Sequence, residues 1–135
     1  MKQILKSKYF SVLHDSEKEM FYYVFNEKTY NMTDEEYKKE ILDFADLVKK
    51  HKPLRVLGNM VDFGFSITSE IQEWVSDTLF SIYEEIGFQK IAILLSKEYV
   101  ESLSIQQTMD EANAPSFQTA YFDNEDEAND WLLAA

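Results

Sequence analysis

Three hydroxyl groups, Ser66, Thr68 and Ser69, fall close together in the stretch FSITSE, and the carboxylate of Glu70 follows them. Hydroxyls at this spacing can do two kinds of chemistry. They can accept backbone N–H bonds at the start of a helix, or one of them can accept a phosphoryl group and its negative charge. Ser69 with Gln72 fits a capping box, and Thr68 is an equally good cap one residue earlier. Phe63 and Phe65 flank Gly64 just before these hydroxyls. Apolar rings in a loop need either a core or a partner. Asp62 is the acid nearest an apolar strand end, and it reads as a turn residue.

Other site chemistries find no foothold. His14 reads as part of a turn and His51 as a helix end, with no second histidine at ligand spacing, so no zinc site is expected. Three glycines do not make a dinucleotide or P-loop cradle, and no serine sits in a nucleophile elbow. There is no cysteine, so thiol and disulfide chemistry drop out. Asn31-Met32-Thr33 matches a glycosylation sequon, a chance match without a secretory signal. No acid, base and nucleophile assemble, so catalysis and a cofactor are not expected.

The elements that position the hydroxyls come next. Leu54 to Met60 is short, mostly apolar and bounded by Pro53 and Asp62-Phe63-Gly64, which suits a strand covered on both faces. Ile71, Trp74, Val75, Thr78, Leu79, Ile82, Tyr83 and Ile86 then recur in steps of three and four, one face of a helix that Gly87 ends. Trp74 on that face reads as core first and as a pocket wall second.

Upstream, Tyr9 to Leu13 and MFYYVF at Met20 to Phe25 make a hairpin around the polar run from His14 to Glu19. Met1 to Lys6 reads equally as a short strand or as coil. Thr33 to Glu36 is a capping box that opens a helix over Asp34 to His51, with Lys49, Lys50 and His51 at its end and Pro53 beyond. Downstream, Lys90 to Ser96 contains the buried-strand run IAILL. A weaker helical stripe covers Lys97 to Asn113, ended by Ala114-Pro115. Phe117 to Phe122 is an edge or half-buried strand, and a last short helix carries Ala128, Trp131 and Leu132. The order β-β-α-β-α-β-α-β-α predicts one α/β domain over residues 1–135, with a mixed, mostly parallel sheet, an N-terminal β-hairpin and about four helices. The runs at Leu54 and Lys90 are too apolar for an edge and are expected at the sheet centre.

Thirteen basic residues against 25 acidic ones give a net charge of −12. That disfavours a nucleic-acid backbone or an anionic lipid surface. No run approaches the roughly 18 apolar residues of a membrane helix, and Met1 to Lys8 lacks a signal-peptide core. A soluble, cytoplasmic protein is expected, with neither nucleic-acid binding nor membrane insertion.

The element order, together with FSITSEIQEWV, KIAILLS and YFDNEDEANDWL, resembles the STAS-like domains related to the anti-sigma factor antagonist of the stage II sporulation type. The resemblance implies that fold and a regulatory, protein-binding role. In that family a loop carrying Asp-Ser-Ser-Gly presents a serine to a partner kinase. Here the loop falls on Ile67-Thr68-Ser69-Glu70, and Ser69 takes the serine's position. Ile67 replaces the aspartate and Glu70 the glycine, and a phosphate beside Glu70 would meet a like charge.

The expected function is therefore a non-catalytic interaction or regulatory module, switched at the loop before the helix that starts near Thr68. Ser66, Thr68 and Ser69 are its candidate phosphorylation or partner-contact residues, and Phe63, Phe65 and Trp74 its candidate pocket or interface. The partner is a protein, not named by the residues, and a homodimer stays open. The alternative is a small carrier for an apolar or lipid-like ligand held under that helix.

Overall fold

The computed structural model describes residues 1–99 and 117–134. Six strands form one sheet in chain order: β1 (Lys2–Lys6), β2 (Phe10–Asp15), β3 (Met20–Phe25), β4 (Arg55–Asn59), β5 (Lys90–Leu94) and β6 (Gln118–Phe122). β1, β2 and β3 pair antiparallel, and β3 to β6 pair parallel. β4 and β5 are interior strands, as their apolar runs require. Met1 to Lys6 resolves as a strand after all. It is an edge strand with lysines at both ends and a bulge between Gln3 and Leu5, features that discourage pairing with another chain.

Helix α1 (Asp34–His51) runs over the predicted residues. Thr33 Oγ1 accepts from Glu36 N–H at 3.1 Å, and Glu36 Oε1 accepts from Thr33 N–H at 3.0 Å. The next helix, α2, has three consecutive runs: Ser69–Val75, a π-helical turn at Ser76–Phe80, and Ser81–Ile86. Gly87 ends it in the left-handed conformation at φ 76°. The last helix is α3 (Glu125–Leu133), capped by Asn124. Residues 97–99 are helical; the rest of the stripe predicted to Asn113 lies outside the described residues. No helix among the described residues is long and apolar enough to cross a membrane.

The sheet is covered on both faces. On one, α1 and α2 pack over Val12, Phe21, Phe25, Val56 and the ring of Tyr23. On the other, Ala128 and Leu132 of α3 meet Met20, Leu57, Ala92 and Leu94. This explains why MFYYVF has no polar alternation: successive residues face two different apolar layers. Two cations hold the C-terminal end of α3. Lys90 Nζ donates to the carbonyls of Trp131 (2.8 Å) and Ala134 (3.0 Å), and Arg55 Nε donates to that of Leu132 (3.0 Å). Both stand side by side in the β4–β5 register, where they satisfy carbonyls that the helix leaves unpaired.

His51 ends α1 as expected, whereas His14 does not lie in a turn. His14 is in strand β2, and its ring packs on His51 at 4.6 Å between centroids, with Phe21 against both. Ligand-spacing rules look along the chain and miss a strand-to-helix pair. Burial, then His14, Lys50 and Lys2, hold the His51 imidazole below its ordinary pKa. The folded protein thus takes up this proton less readily than the unfolded chain, whose histidines titrate near ~6.5. The stability tied to a neutral His51 is full above that value and is lost as pH falls through it. The unfolding midpoint of His51→Phe is expected to fall less than that of the parent between about pH 7 and about pH 5. Parallel pH profiles would contradict this.

Candidate functional site

A groove of about 520 Å³ opens beyond the carboxyl ends of β4 and β5. Two segments line it: Met60, Val61, Phe63, Phe65, Ser66 and Ile67 after β4, and Leu95, Ser96 and Tyr99 after β5. This is the end of an open α/β sheet at which ligands gather. None of the nine side chains is an acid, a lysine, an arginine or a histidine, in a chain where 28% of residues are charged.

The floor is aromatic and anchored. Phe65 stacks on Tyr37 of α1 at 4.8 Å and 24°, and Phe63 meets Phe25 edge-on at 4.8 Å. The two rings flanking Gly64 therefore rest on the core and still face the groove. Burial lifts the Tyr37 hydroxyl to about 12, so this floor stays uncharged at neutral pH. At the rim, Val61 is 51%, Ile67 37% and Tyr99 59% exposed.

The loop between β4 and α2 is held from a distance. Thr29, in the 3-10 turn Glu27–Asn31, is fully buried. Its Oγ1 accepts from Gly64 N–H at 2.8 Å and donates to the carbonyl of Asn26 at 2.9 Å. Next to it, the ring of Tyr30, 72% exposed, lies so close to Gly64 that a Cβ there would meet it. Gly64 thus has a steric reason, and Tyr30 extends the apolar surface beyond the groove.

The structure brings Phe63, Phe65 and Ser66 together in the groove and places the other candidates outside its lining. Thr68, and not Ser69, caps α2: its Oγ1 accepts from Ile71 N–H at 3.3 Å. Ser69 is the first helical residue and is exposed. Trp74 is half-buried against the core, with Lys38 Nζ 5.5 Å from its ring centroid. Thr29, Tyr30, Leu95, Ser96 and Tyr99 carry no sequence signal for this role, because each reaches the site through space. Of the two capping candidates, Thr68→Ala is expected to cost about 0.5–2 kcal/mol and Ser69→Ala only a few tenths. Denaturant unfolding of both variants measures this, and a larger loss from Ser69→Ala would contradict the cap.

Among the described residues no three His, Asp or Glu side chains gather as a metal site. Comparison with curated proteins gives no significant match, nor does comparison with solved structures. A family model described as SpoIIAA-like matches residues 25–133, from the last residue of β3 to the end of α3. The chain belongs to the SpoIIAA-like family.

Proposed function

We propose that this SpoIIAA-like domain is a non-catalytic interaction module whose groove beyond β4 and β5 receives an apolar segment of a protein partner. The observation that carries this reading is the uncharged, aromatic-floored groove whose rim leaves Val61, Ile67 and Tyr99 exposed. Exposed apolar side chains grouped at a concave site, with polar surface around them, mark association surfaces. Among the described residues the lining supplies serine hydroxyls and no basic partner to activate them, which favours binding over catalysis.

Ser66 lines the groove and Ser69 stands outside its lining. A phosphate on Ser66 would bring charge into an apolar site and oppose docking. A switch in this loop would thus act through Ser66 more directly than through Ser69. The carrier reading keeps one supporting observation: a volume of about 520 Å³ is the size of a small-molecule pocket. The site for such a ligand would then lie beyond the strand ends, with Trp74 not among its walls.

Native mass spectrometry of the protein isolated from its source cell separates the readings. The parent and Leu42→Lys, altered at an exposed site on α1, are expected to retain a protein partner that Ile67→Lys loses. A bound small apolar mass would favour the carrier. A partner retained equally by all three would contradict the groove.

A further inference from the structure

We propose that the occupant of this groove is an apolar peptide segment flanked by lysine or arginine. This inference rests on the interaction reading above and adds the charge of the partner to it.

Among the described residues the floor and rim carry no charge, so a charged group placed inside would lose its hydration without a compensating partner. A partner's charges must then sit at the margins, and the margins have a sign. Asp62 lies between Val61 and Phe63, Glu70 follows Ile67 by three residues at the start of α2, and Glu98 precedes Tyr99; all three are exposed. Lys97 is the one base within these same loop segments. The chain as a whole carries −12, which adds a long-range negative field. A segment with acidic flanks, or a fatty-acid carboxylate, is repelled at this margin. Basic flanks are attracted to it, mainly through faster and salt-dependent encounter.

The extent of the apolar surface favours a peptide over an enclosed small molecule. Tyr30 over Gly64 and the exposed side chains of Val61, Ile67 and Tyr99 continue the surface out of the groove. A peptide can lay alternate side chains along such a surface, whereas a small ligand is mostly enclosed.

The test is selection of a random displayed peptide library on the immobilised full chain, followed by titration of synthetic peptides. The enriched peptides are expected to carry an apolar centre with Lys or Arg on its flanks. Changing those flanks to Glu should weaken binding at least about tenfold at low salt, with the gap narrowing as salt rises. The double variant Val61→Ser with Ile67→Ser adds no charge and, with an unchanged unfolding midpoint, should lose the selected peptides. Enriched peptides with neutral or acidic flanks, or equal affinity after the flank change, would overturn the charge inference and leave the groove reading standing. No enrichment, or binding that survives the double variant, would overturn the groove reading and this inference with it.

Discussion

Leu132→Ala is expected to lower the unfolding free energy by about 2–5 kcal/mol, the range for removing a fully buried leucine. Leu132 is 0% exposed and lies in the layer formed by Met20, Leu57, Ala92, Leu94 and Ala128. Helix α3 has nine residues, too few to persist without docking. Its two buried apolar side chains are Ala128 and Leu132, so Leu132 supplies most of the contact. Trp131, on the same apolar face in the sequence, packs against this layer without being fully buried. Trp131 is half-buried, its ring 5.7 Å from Phe122 and 4.9 Å from Lys90 Nζ. Trp131→Ala should therefore cost less, on the order of 1–2 kcal/mol. Urea unfolding of both variants decides, and a larger loss from Trp131→Ala would contradict the assignment.

Gly58→Val is the second large effect, and local propensity points the wrong way. Valine suits a strand better than glycine does. Yet Gly58 is paired in register with Tyr23, whose ring leans over it into the space a Cβ would take. Tyr23 cannot swing aside, because Phe25 and Phe44 meet its ring at 5.6 and 5.5 Å. Overpacking of this kind costs about 1–3 kcal/mol and occasionally more. In a Tyr23→Leu background the same substitution should cost at least about 1 kcal/mol less, a coupling that a double-mutant cycle reads directly. Additive losses would show that the ring is not what excludes a side chain at residue 58.

The elements with local punctuation were legible in the sequence. α1 could be read from end to end because Thr33 and Glu36 close one end on each other and Lys49 to His51 with Pro53 mark the other. β4 and β5 showed their interior placement by apolar runs with no polar face. The candidate site was half legible. Phe63, Phe65 and Ser66 follow a central strand, and ligand sites follow such strands. The remainder depended on distance through space. Thr29 meets Gly64 across 35 residues of chain, His14 meets His51 across the sheet-to-helix layer, and the π-helical turn at Ser76–Phe80 leaves an intact apolar stripe on either side. Periodicity reports which face of a helix is apolar and not which residue reaches the centre of the layer, so it does not tell Leu132 from Trp131.

The groove beyond β4 and β5 is proposed as the place where this domain binds a protein. Its most direct test is a photoreactive amino acid at residue 67, compared with the same amino acid at residue 42, both irradiated in the source cell. Ile67 stands at the groove rim and Leu42 is exposed on α1. A discrete protein-sized adduct is expected at 67 and absent at 42. The same adduct at both residues, or none at 67, would contradict the proposal.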